Sequence, residues 1–499
     1  MRIEAAAPDK AATGALASLS RYSRRLTGNA FSALSTRAID TLSGLIISAI
    51  LGRYLLPAGL GSFFYILAVA GFFSPLVDIG LGQVCVREAV HYKSRQAALF
   101  GSMHLLRALL FAGTIPFTVI AAVFLNFAPA ELASFVLCVL TMSAVDRILL
   151  DPARAALLAF EKLHWDVLVA GTGFAFKLLA LFVVIHFDWH LPGVFAGQLF
   201  AAILRAGIAI TLVRRFCTHI RLAPDKELLK LLFWASLPLG LSVCVLAIRF
   251  PIGVVLLKWF AGPEATSFFG LPMRVIGMVM LPTGAILTAA YPGLCRAAAK
   301  GRDVLRRGIS TLFIYLFFWN LAIFMGLYFL AMPITILLFG KAFSPAGPVL
   351  ALLAISPVFK TFDILYGMTF IAVKRTRTYL VITVAATLVN IVATLILIPV
   401  LSYAGAALAS IACDLTVVIV GSVVLSRYLG GSPLSGVVIA PSVSFLAGIA
   451  CALLAGGSWA ACFAGLGGFV VVGIILMHRL GWGLLSLKAL EAADDTECV

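Results

Sequence analysis

The sequence predicts an all-α, polytopic membrane protein, on the strength of its composition, the length of its apolar runs and the placement of its basic residues. Of its residues 62% are hydrophobic and 12% charged, where soluble domains average about a quarter charged. A water-soluble core cannot absorb that excess. Apolar runs of about twenty residues recur along the chain, each long enough to cross the roughly 30 Å hydrocarbon layer as a helix. The short alternating segments of an outer-membrane barrel are absent from the sequence. Most of the 37 Lys and Arg fall in every second connection between runs, the asymmetry of the positive-inside rule.

In chain order, helices are expected at 29–51, 61–86, 102–125, 132–158, 165–187, 193–213 and 230–257. They continue at 267–291, 309–331, 345–372, 380–399, 404–426, 438–455 and 460–478, about fourteen in all. The first is entered from Arg21, Arg24 and Arg25, with no short apolar core and small-residue cleavage site to mark a secretory leader. Both termini are therefore expected in the cytoplasm. Basic clusters such as Arg214, Arg215 and Arg221, then Arg296, Lys300, Arg302, Arg306 and Arg307, then Lys374, Arg375 and Arg377 mark the inner side. Arg53, Lys258 and Lys341 are assigned to outer loops.

Internal symmetry organises these helices. Arg53-Tyr-Leu-Leu-Pro-Ala-Gly-Leu-Gly-Ser-Phe-Phe64 aligns without gaps on Lys258-Trp-Phe-Ala-Gly-Pro-Glu-Ala-Thr-Ser-Phe-Phe269. Leu158-Ala-Phe-Glu-Lys162 then matches Ile371-Ala-Val-Lys-Arg375, and Arg215-Phe216 matches Arg427-Tyr428, in the same order along the chain. The expected organisation is a basic N-terminal tail (1–28), a six-helix bundle (29–222), a second pseudo-symmetric six-helix bundle (223–430), two appended helices (431–480) and a C-terminal tail (481–499). Both halves start on the same side, so the repeats are parallel, and a cavity between two bundles follows.

Charges left inside the spans are the functional candidates, because each costs about 2.5–3.5 kcal/mol at the bilayer centre on insertion scales. The bases are Arg37, Arg107, Arg147, Arg154, Lys177, Arg205, Arg249, Arg274 and Lys360; the acids are Asp40, Asp78, Asp146, Asp151, Asp363 and Asp414. Arg107 and Arg154 lie near cytoplasmic helix ends, and snorkelling to headgroups is the reading adopted for them. Arg37 with Asp40, and Lys360 with Asp363, stand at i and i+3, where mutual neutralisation and function are equal readings. Arg147, Asp151 and Arg154 draw a polar stripe down one helix face, a cavity wall or an inter-helix clamp. Lys177, Arg205, Arg249 and Arg274 have no acid within four residues on their own helices. Such cations suit an anionic visitor, and arginine suits phosphate because its planar fork bonds it bidentately. The substrate-binding candidates are thus Arg37, Arg147, Lys177, Arg205, Arg249, Arg274 and Lys360. Asp40, Asp151 and Asp363 are the candidates for coupling an ion.

Other motifs carry less. Pro238, Pro251, Pro272 and Pro282 flank Arg249 and Arg274, as hinges or as static kinks. Gly193-Val-Phe-Ala-Gly197 has the spacing of close helix packing. Gly171-Thr-Gly173 follows no strand, so it is no dinucleotide fingerprint. The nine cysteines are scattered, and His186 and His190 lack a metal constellation, so no metal and no cofactor is expected. No phosphate loop for ATP appears. The net charge of +16 is spread over many loops rather than one face, which argues against a nucleic-acid partner.

At the level of motif order, Leu51-Gly-Arg-Tyr-Leu-Leu-Pro-Ala-Gly-Leu-Gly61, Asp78-Ile-Gly-Leu81 and Arg87-Glu88 resemble the first two helices of Wzx-type polysaccharide biosynthesis flippases. These belong to the multidrug/oligosaccharidyl-lipid/polysaccharide exporter superfamily. Leu338-Phe-Gly-Lys-Ala-Phe343 resembles the family's ninth-to-tenth connection, and Asn390 to Pro399 with Gly405-Ala-Ala-Leu-Ala409 its last two core helices. The resemblance implies two rocking bundles that move an undecaprenyl-pyrophosphate-linked oligosaccharide across the inner membrane, with no enzymatic step. A polysaccharide polymerase and export machinery are the protein partners it suggests. Related lipid II flippases use central arginines, and Arg37, Arg53 and Arg274 hold roughly comparable places. A multidrug exporter of the same superfamily would need an acidic, aromatic cavity, and a membrane-embedded polymerase or glycosyltransferase would need a larger outer loop.

Overall fold

A computed structural model describes residues 10–91, 95–125, 127–217, 225–249, 251–431 and 467–468. Among them helices dominate and no strand occurs. They comprise α1 (Lys10–Asp78), α2 (Leu81–His91), α3 (Gln96–Phe124), α4 (Pro129–Val139), a π-helical segment (Leu140–Leu150) and α5 (Asp151–Ala159). Next come α6 (Leu163–His186), α7 (His190–Phe216), α8 (Lys226–Arg249), α9 (Pro251–Val279) and α10 (Leu281–Lys300). The last are α11 (Arg302–Phe339), a 3₁₀ turn (Lys341–Phe343), α12 (Ala346–Leu353), α13 (Ser356–Ala372) and α14 (Thr376–Leu429).

The protein is a multi-pass membrane protein. Seven described helices are long and apolar enough to span a bilayer, or up to nine if each of two bent pairs counts as one span. Large apolar side chains stand exposed along them, among them Phe117, Val123, Phe124, Phe182, Val381 and Ile396. In water such a surface would aggregate; against acyl chains it is the expected exterior. Neighbouring predicted spans are joined where the sequence suggested separate helices: 29–51 and most of 61–86 lie along α1, and 380–399 and 404–426 along α14. The predicted spans 438–455 and 460–478 and the tail 481–499 fall almost entirely outside the described residues.

The long helices are nonetheless broken. Inside α1, Leu56 takes φ 58° and ψ 177° immediately before Pro57. Inside α9, Gly262 takes φ 83° and ψ 177° immediately before Pro263. A proline ring clashes with a preceding helical residue, so each break sits one residue ahead of its proline. A third break, at Ser402, interrupts α14 three residues after Pro399.

The described residues pack as two compact units. The described residues of the first fall within Met1–Ser43, Leu76–Phe127 and Leu132–Gly240, and those of the second within Gly44–Pro75, Ala128–Glu131 and Leu241–Val499. The first has its core around Phe100, Met103, Leu106, Leu157, Val169, Ala206 and Leu232. The second centres on Phe313, Phe362, Tyr366, Phe370, Val417 and Leu425, with the rings of Phe313 and Phe362 4.6 Å apart.

The sequence repeats reappear as repeated backbone geometry. Glu161 and Lys374 both take positive φ, 57° and 59°. Each is followed by a residue whose N–H closes the preceding helix, Lys162 onto Leu157 O at 2.8 Å and Arg375 onto Phe370 O at 2.7 Å. These are helix C-caps of the Schellman kind. Lys162 then lies over the Phe216 ring at 5.6 Å, and Arg375 over the Tyr428 ring at 4.5 Å. The second unit also brings its two proline breaks together. A Cβ on Gly61 would lie 1.6 Å from the carbonyl oxygen of Pro263, so only glycine fits. Gly61→Ala is expected to cost at least about 1–3 kcal/mol through overpacking, visible as a lower melting temperature of the detergent-purified protein.

Candidate functional site

Each unit contains a partly buried knot of charge, assembled from several helices. In the first, Asp40 on α1 accepts from Arg205 on α7 at 2.9 Å and from Arg154 on α5 at 3.2 Å. Arg154 also grips Asp166 on α6, its Nε donating at 2.7 Å. Gly173 makes room for the Arg205 stem, since a Cβ there would meet the Arg205 Cδ at 2.5 Å. Alongside, Arg147 pairs with Asp151 one turn on, at 2.8 Å. Arg107, 1% exposed, donates to Asp78 and to the Arg147 carbonyl oxygen. Lys177 and Arg205 both bear electrostatically on Asp146, on the π-helical segment.

In the second unit, Arg249 at the end of α8 donates to Asp363 on α13 at 2.7 Å and to Asp414 on α14 at 2.6 Å, with its Nε 2.9 Å from the Cys413 sulfur. Lys360 adds a second cation to Asp414 at 3.0 Å. Tyr379 donates its hydroxyl to Asp363 at 2.8 Å. Asp414 is 1% exposed, a position in which a carboxylate depends on such cationic partners in place of water.

The two knots share one plan with opposite polarity. Asp40 lies 114 residues before Arg154 and 165 before Arg205, and Arg249 lies 114 residues before Asp363 and 165 before Asp414. In one a carboxylate joins two arginines; in the other an arginine joins two carboxylates. Asp166 and Lys360 complete each set with two charges of either sign.

Several sequence expectations are thereby corrected. Arg205 and Arg249 have acid partners, supplied by other helices and so invisible to a search along their own. Asp40 turns to Arg154 and Arg205, and Asp363 to Arg249, so the local pairs of Arg37 with Asp40 and Lys360 with Asp363 do not form. Arg107 and Arg154 do not snorkel; both are locked to carboxylates within the first unit. Arg154 is an inter-helix clamp. Arg53 donates to the carbonyl oxygen of Leu337 at 2.8 Å, satisfying an acceptor left open at the end of α11. Asp166 and Tyr379 were missed, the first because it sits at a predicted helix start, the second because a tyrosine in an apolar run carries no signal of its own.

Two candidate cations stand apart. Arg37 and Arg274 are exposed, and neither makes an ion pair among the described residues. Arg274 is positioned within the second unit by the Phe64 ring, 5.7 Å from its guanidinium. Gly270, one turn earlier, admits that ring, since a Cβ there would meet it at 2.6 Å. A cation over an aromatic face is attracted by the ring's quadrupole while its hydrogen-bond donors stay available.

Elsewhere in the second unit, Glu131, in the segment Ala128–Glu131, accepts from Ser62 at 2.8 Å and from Lys258 at 2.7 Å. The Lys258 ammonium rests over the Tyr65 ring at 4.1 Å.

The fold resembles that of solved membrane transporters of the multidrug/oligosaccharidyl-lipid/polysaccharide superfamily. It resembles the inward closed conformation of the lipid II flippase MurJ, with a TM-score of 0.70 over 91% of this chain and 99% of that one, at 14% identity. An inward-facing multidrug resistance transporter of the same superfamily matches at a TM-score of 0.62, with 15% identity over 79% of this chain and 94% of its own. A superfamily transporter from Pyrococcus furiosus, for which a binding pocket of reverse polarity suggests a different function, matches at 0.55, with 16% identity over 80% and 95%. Among curated proteins none matches in sequence. The family model for polysaccharide biosynthesis proteins matches residues 26–298, more than half the chain, and the protein belongs to that family.

Proposed function

We propose that the protein is a flippase that moves an undecaprenyl-pyrophosphate-linked oligosaccharide across the inner membrane by alternating access, for surface polysaccharide synthesis, without enzymatic chemistry. The observation that carries this reading is Arg274, an exposed guanidinium in an apolar helix with no carboxylate partner among the described residues. Burying a charge in a membrane without a counter-ion is costly, and a visiting pyrophosphate would supply one in the bidentate geometry that arginine favours. Arg37 is a second such group. Arg147, Lys177, Arg205, Arg249 and Lys360 contribute positive charge whose partners rearrange during transport. Asp40, Asp151 and Asp363 each hold a guanidinium, and protonation of one would release it, a direct route to ion coupling.

The test is reconstitution of the purified protein in liposomes carrying the lipid-linked oligosaccharide on one leaflet, with appearance on the other read by a membrane-impermeant lectin or glycosidase. Protein-dependent transfer is expected. Export of an organic cation with no movement of the glycolipid would establish a multidrug exporter instead, and elongation of the glycan would establish a polymerase.

A further inference from the structure

The first unit contains a cavity of about 460 Å³, within the range of about 300–1,000 Å³ typical of small-molecule sites. Its wall combines polar side chains, Asp78, Gln83, Arg107, Asp151, Arg154 and Asp166, with the aliphatic ones of Val86, Ala155, Leu158 and Leu163. The ion pairs described above leave hydrogen-bonding capacity unspent. Asp78 is engaged through Oδ1 and Asp151 through Oδ2, and an ionised carboxylate offers about four lone-pair sites. Gln83 is exposed with no hydrogen bond among the described residues. Arg107, almost wholly buried, has an Nε without a hydrogen-bond partner.

Charge narrows the ligand. Each carboxylate of the wall already faces a guanidinium: Asp78 faces Arg107, Asp151 faces Arg147, and Asp166 faces Arg154. The wall is therefore close to neutral, and neither an isolated anion nor an isolated cation finds uncompensated charge there. It offers planar donors and acceptors together with a small aliphatic surface. A pyranose ring presents the complement, neighbouring hydroxyls that both donate and accept around its edge and C–H groups on its face.

We infer that this cavity is a carbohydrate subsite that takes one neutral sugar unit of the cargo, Asp78, Asp151 and Gln83 bonding its hydroxyls and Leu158 and Leu163 covering its face. The link to cargo rests on the flippase reading; the binding of sugar does not. The full chain in lipid nanodiscs is presented with free methyl glycosides of glucose, galactose, mannose and N-acetylglucosamine, and in parallel with tetraphenylphosphonium and inorganic pyrophosphate, with saturation-transfer NMR as readout.

At least one glycoside is expected to bind. Gln83→Ala should weaken it about two- to tenfold, the scale of one net hydrogen bond, and Gln83→Trp should abolish it by filling the cavity. Leu158→Trp provides a second block should Gln83→Trp fail to fold. Absence of binding by every glycoside, or binding that persists in a folded cavity-filling variant, overturns the inference. So does loss of tetraphenylphosphonium alone in those variants. Sugar binding that survives while no lipid-linked oligosaccharide is moved in liposomes sinks the flippase reading and leaves the subsite standing.

Discussion

Arg249→Ala is expected to prevent accumulation of folded protein, or to lower its stability by about 3–5 kcal/mol, the cost of removing one member of a buried ion pair. The loss is large because two carboxylates depend on this one side chain. Asp414 would keep Lys360, but Asp363 would keep only the Tyr379 hydroxyl. The matching double variant Arg249→Met with Asp363→Asn removes one charge of each sign and leaves Lys360 paired with Asp414. It should recover much of the stability, and fluorescence-detected size-exclusion after heating, arranged as a double-mutant cycle, measures how much. Arg249→Ala with wild-type stability would show that this arginine is not the keystone of the second unit.

Arg274→Ala is expected to do the reverse, leaving the melting temperature within about a degree of wild type because no ion pair is broken, while glycolipid transfer falls about 10- to 100-fold. That range, about 1.4–2.7 kcal/mol, is the scale of one charge-assisted hydrogen bond at about 1.5–3 kcal/mol. Arg274→Lys keeps the charge but loses the planar fork, and should recover only part of the rate. Gly270→Ala tests the same group indirectly: it pushes on the Phe64 ring beneath the guanidinium, so transfer should fall although the arginine remains. Transport rates in reconstituted liposomes, beside the melting temperature of each variant, separate these effects. An unchanged rate in Arg274→Ala would remove the main support for a pyrophosphate contact there.

The opposite expectations for two arginines that look alike in sequence come from their neighbours. Each lacks an acid within four residues on its own helix, and each stands near a proline. Arg249 ends α8 where two other helices bring carboxylates to it; Arg274 points from α9 beside glycine and phenylalanine. Periodicity along one helix reports which face a side chain occupies, but says nothing about what the next helix places there.

The amino-acid sequence was sufficient for the membrane class, because transfer of apolar side chains into hydrocarbon is a local, additive property of about twenty residues at a time. Its separation of 29–51 from 61–86, and of 230–257 from 267–291, falls at the breaks before Pro57 and Pro263, which arise from sterics between adjacent residues. The charge partners were decided only in the folded chain. Asp40 meets Arg205, and Arg249 meets Asp414, across 165 residues in each case, so both contacts, and the inversion of polarity between the two units, exist only once several helices have packed. A Coulomb contact depends on distance in space, and in a helical bundle that distance is set by packing rather than by separation along the chain.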